Sequence, residues 1–269
     1  MMLTESIASR NIDSDIRRLV DQPYVEGKGL SCACPSVPST IFQEDPIEPK
    51  TGIKFPAFLE DDSSPSAAVL VGIGFKGMRV MRVKNLNLYA FGLYMQPTSI
   101  REKLGSKYGS FPTDKLMENP DFYSDLLRPY VSLATIHFRK CIGLALTNVA
   151  AQNLAPLLSN ENLDMRVSVF EKSLGLRLQK INPNTDFHCL KTFGSHFTED
   201  IAIPSGTKID FCQTADGKLI TEIDGKQIGA VQSKDLCKAF FDMYIGDSPV
   251  SLEAKKVVAQ NVAGLIGRR

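Results

Sequence analysis

The spacing of apolar residues changes along this chain, and each change marks an expected element. Residues 69–75, 78–83 and 86–94 are β-prone runs divided by Gly and by a Lys-Asn pair, and they predict three successive strands. Two-residue alternation in the third run puts Asn87, Tyr89, Phe91 and Leu93 on one face. Residues 131–138 predict another strand, with Ala134, Ile136 and Phe138 on one side and Leu133, Thr135 and His137 on the other. The clearest local signal spans 208–231. Asp216-Gly217 and Asp224-Gly225 each divide β-prone runs, and Asp-Gly suits turns whose central residues take positive φ, so two hairpins and a three-stranded meander are expected.

Helical spacing surrounds these strands. Val167, Phe170, Leu174 and Leu178 repeat at three and four residues behind Asp164 as N-cap, and Phe187, Leu190, Phe193 and Phe197 do the same. Ser233 caps a helix carrying Leu236, Cys237, Phe240, Phe241 and Tyr244 that stops at Gly246, and Ser251 caps another through Val257, Val258 and Leu265. The fold class is therefore α+β, an antiparallel sheet covered on one face by helices, and the boundary between such layers suits an apolar ligand cleft. Residues 67–269 form this domain. Residues 1–66, rich in Ser, Pro and acidic groups, read as a mostly irregular tail or linker, with one helix-like patch at Ile12, Ile16, Leu19 and Val20.

Composition narrows the function. In 269 residues, 43% are hydrophobic and 23% charged, enough for a sizeable core and against disorder as the main state. Thirty-one Lys and Arg against thirty Asp and Glu leave a net charge of +1, which argues against nucleic acid as a partner. The apolar run 67–75 is interrupted by Gly72 and Gly74 and is far too short for a membrane span, so a soluble protein is expected. The early acids Glu5, Asp13, Asp15 and Asp21 are foreign to a transit peptide, and no secretory apolar core is visible. Cysteines at 32, 34, 141, 189, 212 and 237 lack C-x-x-C pairing and read as reduced thiols; no metal site is expected.

Familiar catalytic patterns are missing. His137, His188 and His196 coexist with many Ser and Asp residues, but there is no G-x-S-x-G elbow, and His188 and His196 stand eight residues apart rather than four. They read as surface or packing histidines. Gly72-Ile-Gly74 before Phe75-Lys76-Gly77 superficially suggests a phosphate loop, yet strand-forming residues follow where a helix N-terminus is required, so no cofactor is expected. A more informative pair is Lys76 and Tyr89. If their strands pair, an ammonium and a phenol converge on one anionic oxygen group beneath an apolar cover; the competing reading is a solvated Lys and a Tyr tip at a sheet edge, and spacing alone favours the latter.

The run from Gly72 through Phe75-Lys-Gly-Met-Arg-Val-Met-Arg-Val-Lys-Asn-Leu-Asn-Leu-Tyr to Tyr94 resembles the signature segment of the chalcone isomerase fold, and more closely its plant plastid fatty-acid-binding branch. Ile47-Glu-Pro-Lys-Thr-Gly-Ile-Lys-Phe-Pro56, Phe170-Glu-Lys-Ser-Leu-Gly175, Ile203-Pro-Ser-Gly206 and the segment from Lys234 to Pro249 support it, so the resemblance covers about residues 47 to 266. It implies an open-faced β-sandwich with the ligand between sheet and helices, and a fatty-acid carboxylate held by an Arg and a Tyr thirteen positions later. Tyr89 falls on that Tyr. Lys76 falls on the Arg, replacing a two-pronged planar donor with a point charge; Arg79 or Arg82 is the expected substitute guanidinium if the carboxylate keeps one.

Isomerases of this fold resemble the same segment but use a Thr where Tyr89 stands and a Tyr and an Asn on a later helix. Here that helix maps to about 166–179, which has neither; Asn160 or Asn162 serves if it begins earlier, but a Tyr is still missing. The segment 141–162 is longer than the family pattern. The resemblance thus implies a non-catalytic protein holding a free fatty acid with its carboxylate at Lys76 and Tyr89, in the chloroplast stroma. The alternatives are a chalcone–flavanone isomerase, an intramolecular lyase, or a non-catalytic accessory protein of flavonoid synthesis.

Overall fold

A computed structural model describes residues 42, 44–59, 67–80, 84–128, 134–140, 173–197, 201 and 203–267. Their strands make one antiparallel sheet in chain order: β1 (Phe58–Leu59), β2 (Ala68–Val80), β3 (Lys84–Met95), β4 (Ala134–Lys140), β5 (Lys208–Gln213), β6 (Lys218–Ile223) and β7 (Lys226–Gln232). The runs 69–75 and 78–83 were expected as two strands; residues 68–80 are one, running straight through Gly77. The readings at 12–20, 141–162 and 164–170 lie outside the described residues, as do Cys32, Cys34 and Cys141.

The register of β2 on β3 sorts the side chains onto two faces. Gly72 opposite Leu93, Gly74 opposite Phe91 and Lys76 opposite Tyr89 form an inner set. Leu70 opposite Tyr94, Ile73 opposite Gly92 and Phe75 opposite Ala90 form an outer one. Directly paired residues in an antiparallel ladder share a face. A bulge skips Leu88, so Tyr89 pairs with Lys76 while Asn87 pairs with Gly77. The extra residue breaks the two-residue alternation. Asn87 therefore leaves the face shared by Tyr89, Phe91 and Leu93, and its Nδ2 donates to the Lys50 carbonyl at 2.9 Å, which corrects the placement expected from alternation alone.

Helices cover the inner face: α1 (Pro97–Tyr108), α2 (Thr113–Met117), α3 (Pro120–Leu126), α4 (described over 173–181), α5 (His188–Ser195), α6 (Lys234–Ile245) and α7 (Leu252–Gly267). The two serine caps form as expected: Ser233 Oγ accepts from Leu236 N and Ser251 Oγ from Ala254 N, both at 3.2 Å. The glycines that mimic a phosphate loop let α7 approach β2. A methyl group on Gly72 would come within 2.5 Å of the Val258 side chain, and one on Gly74 within 2.7 Å of the Phe91 ring. The core beneath α6 is aromatic: Phe240 lies 4.6 Å from Phe211, which is 5.3 Å from Phe138. Each such ring taken from water contributes roughly 1.5–3 kcal/mol.

Residues 44–59 fall in the stretch that composition assigns to the tail, yet they pack across the outer face. The Glu48 carboxylate binds Thr51 N at 2.8 Å and Thr51 Oγ1 at 2.6 Å, closing a turn whose arms meet at the Ile47–Lys54 bridge. Phe55 is fully buried against Leu70, Ala90 and Tyr94, and Tyr94 Oη donates to the Pro56 carbonyl at 2.8 Å. The meander forms where expected. Asp224 and Gly225 both take positive φ (49° and 81°), whereas only Gly217 does so in the first turn, which is a longer loop.

Candidate functional site

Four polar side chains from four elements meet the inner face at the Lys76–Tyr89 pair. Lys76 comes from β2 and Tyr89 from β3, placed by the register. Tyr244 comes from α6 and Arg177 from α4. Tyr89 stands edge-on to Phe138 at 5.2 Å and 6.5 Å from Phe91; Tyr244 packs against the same two rings at 5.7 and 4.9 Å. Half-buried Ile209 and Phe197 border this aromatic floor.

Arg177 is already engaged. It donates to the Asp242 carboxylate, to the Asp242 carbonyl at 3.2 Å and to the Ser248 carbonyl at 2.6 Å. Gly246 permits this clasp, because a methyl group there would collide with the Asp242 carboxylate at 2.1 Å. Lys76 differs. Half-buried, it has no carboxylate partner among the described residues, and its ammonium is disfavoured first by burial and then by the Arg177 charge, so its pKa falls below the ordinary lysine value.

Burial pushes the Tyr89 phenol up to about 12 and holds the Tyr244 phenol well above its usual value, with the neighbouring Tyr89 adding to the latter. Both are neutral O–H donors near pH 7. The two phenols are near enough to influence each other's ionisation, yet the Tyr244 hydroxyl, 1% exposed, meets no acceptor in hydrogen-bonding geometry. The set can therefore present an ammonium and two phenolic donors to one oxygen-bearing group in an aromatic surround.

Of the residues singled out by sequence, Lys76 and Tyr89 are brought together. Arg79 stands on β2 opposite Asn85, and Arg82 lies outside the described residues. Arg177 and Tyr244 were missed. Tyr244 belonged to a helix correctly outlined by its apolar repeat, which gave it a packing role only; Arg177 sits beside Leu178 with nothing in its spacing to mark it.

The histidines pack rather than gather. His137 is buried on the outer face, with Nδ1 2.9 Å from Asp210 Oδ1 and its ring 5.9 Å from Phe55; His188 is exposed, and the His196 ring covers Gly229. No cluster of three or more metal-ligating side chains occurs among the described residues, and no described helix is long and apolar enough to cross a membrane. Cys189, Cys212 and Cys237 are free thiols. A groove of about 550 Å³ lies elsewhere, between Asn182, His188, Asp235 and the β7 residues Ala230–Gln232. It is open, its Asp235 carboxylate already takes Asn182 and Thr185 at 2.9 and 2.7 Å, and it shares no residue with the Lys76 set.

Comparison with known proteins agrees with this architecture. Residues 160–259 match the family described as chalcone isomerase like. The chain is 48% identical over 223 residues, 82% of its length, to fatty-acid-binding protein 2 of Arabidopsis thaliana, and 28% identical over 226 residues, 84% of its length, to fatty-acid-binding protein 1 of the same plant. It spans about half of the first relative, 52%, and 73% of the second. A crystal structure of an Arabidopsis thaliana fatty-acid-binding protein superposes with a TM-score of 0.68 at 28% identity, covering 83% of this chain and 99% of that one.

Proposed function

We propose that this protein, which is similar in sequence and in fold to chalcone isomerase-like proteins, binds free fatty acids without transforming them, the carboxylate resting on Lys76 and Tyr89 and the acyl chain running over the aromatic inner face. The observation that carries the reading is a half-buried ammonium with no described counter-charge, paired across the ladder with a phenol on the helix-covered face. Leaving a cation so placed is unfavourable unless an anion arrives. The relatives named as fatty-acid-binding proteins supply the ligand class.

The energetics divide in a useful way. About ten methylenes at ~0.8 kcal/mol each supply most of the gross affinity, before the cost of association is subtracted. The charged head-group contact adds about 1.5–3 kcal/mol and fixes which end of the ligand lies at Lys76. A setting in the chloroplast stroma completes the proposal and rests on the resemblance to the plastid branch alone.

Titrating dodecanoic acid and dodecan-1-ol calorimetrically into wild type and into the Lys76→Met, Tyr89→Phe double variant tests the head-group assignment. The acid should weaken by roughly tenfold or more, with the alcohol changing little. Equal weakening of both would show that these side chains do not meet the carboxylate. Chalcone absorbance should decay at the spontaneous rate with or without the protein; an accelerated, stereoselective decay would favour the isomerase alternative.

A further inference from the structure

Tyr244 belongs to a helix whose other inward residues are fully accounted for as core. Leu236, Cys237, Phe240 and Phe241 are each 2% exposed or less and pack as apolar groups. Tyr244 is buried just as deeply but carries a hydroxyl that neighbours the Tyr89 phenol and, among the described residues, meets no acceptor in good hydrogen-bonding geometry. A phenylalanine would fill the same space against Phe91, Phe138 and Phe240 without leaving a donor unsatisfied. The polar atom is therefore not explained by packing.

Its surroundings say what it could serve. The ring shares its two closest aromatic neighbours on the sheet, Phe91 and Phe138, with Tyr89, so both phenols stand over one floor. The charges bearing on it are Arg177, whose own donors are taken by Asp242 and Ser248, and the nearby Tyr89 dipole. Burial keeps the group protonated, so it can act only as a donor or a neutral acceptor at neutral pH.

We infer that Tyr244 is a third head-group ligand, its hydroxyl donating to the second oxygen of the carboxylate that Lys76 and Tyr89 hold. This rests on the fatty-acid reading above and deepens it. An ammonium and two phenolic donors match an acceptor with two oxygens and no hydrogen to give, which a free carboxylate is and an alcohol is not. Head-group selection is then shared between sheet and helix, so that ligand binding ties α6 to β2 and β3.

Tyr244→Phe tests this, because a ligand role and a structural role move different readouts. Removing a hydroxyl that only neighbours the Tyr89 phenol, without a well-formed hydrogen bond, should leave the melting temperature of the free protein unchanged or slightly higher. The same change should weaken dodecanoic acid roughly threefold to tenfold while dodecan-1-ol binds as before. Combined with Tyr89→Phe it should be non-additive, since the two donors address one group. An unchanged acid affinity in Tyr244→Phe, beside a normal wild-type titration, overturns the inference and leaves the fatty-acid reading standing. Equal weakening of acid and alcohol, or a clear fall in the free protein's melting temperature, assigns the hydroxyl to structure and also overturns it. Failure of wild type to bind dodecanoic acid sinks the underlying reading and this inference with it.

Discussion

The two faces of the sheet handle charge in opposite ways. On the outer face Asp210 is almost fully buried, pairs with Lys208 at 3.1 Å and stands 2.9 Å from Nδ1 of the buried His137, whose ring lies against Phe55. On the inner face Lys76 has a phenol opposite it and the Arg177 charge nearby, but no described anion. Both faces bury ionisable groups in aromatic surroundings, and only one completes the pairing within the described chain. An internally balanced cluster is what structure requires; an unbalanced one is what a charged ligand would complete.

The sharpest way to test that contrast is to unbalance the balanced face. Asp210→Ala removes the anion that Lys208 pairs with and that His137 faces, and should lower folding stability by about 1–3 kcal/mol in urea titration, while fatty-acid affinity of the folded fraction stays near wild type. A loss under about 1 kcal/mol would mean the cluster holds little of the outer face together. The second test takes the unbalanced charge away. Lys76→Met should weaken dodecanoic acid at least tenfold, yet leave the unliganded protein as stable as wild type or more so, since the removed ammonium was desolvated and faced another cation. A stability loss above about 1 kcal/mol would place Lys76 in the structural class with His137.

A smaller effect lies in the pH dependence. The Lys76 pKa is lowered in the folded state, so the unfolded chain binds more protons in the window just below the ordinary lysine value of 10.5. Stability of the free protein should therefore gain a positive increment from this group as pH rises through that window, and the increment should vanish in Lys76→Met. Acid affinity should move the other way, falling over the same range as the ammonium is lost. The Tyr89 phenol, raised from about 10 to about 12 on folding, works against the stability gain from about pH 9 upward, because there the unfolded chain loses its proton first, so the Lys76 increment is read as the difference between wild type and Lys76→Met. Urea titrations and calorimetry of wild type and variant at matched pH values check the two slopes, and parallel slopes would contradict the assignment.

Much of this architecture was readable where a local rule acts alone. The Asp224-Gly225 turn, the caps at Ser233 and Ser251 and the alternation of Ala134, Ile136 and Phe138 against His137 each follow from a few adjacent residues. Legibility failed where distant elements decide. Gly72 and Gly74 fall inside an expected strand and the phosphate loop is rightly rejected, but nothing nearby announces α7, which needs their bare backbone. The bulge at Leu88 moved Asn87, and no local signal marks a bulge in so apolar a run. Residues 97–126 carry no clear apolar period yet hold three helices, two opening on Pro97 and Pro120. In the candidate site, Lys76 and Tyr89 stand out from their neighbours and the resemblance tips the reading toward a site, while Arg177 and Tyr244 required packing to reveal one engaged cation and one idle hydroxyl.

The central claim is that the carboxylate of a fatty acid meets the Lys76 ammonium. It is tested most directly by the ionisation of the bound ligand itself, followed through the carboxyl signal of dodecanoic acid labelled with carbon-13 at that carbon. A neighbouring ammonium should hold the bound acid ionised to pH values below the roughly 4.3 of an ordinary carboxyl, and Lys76→Met should raise the midpoint. A bound carboxyl that titrates at the same pH in wild type and in Lys76→Met would place the head group away from Lys76 and contradict the account.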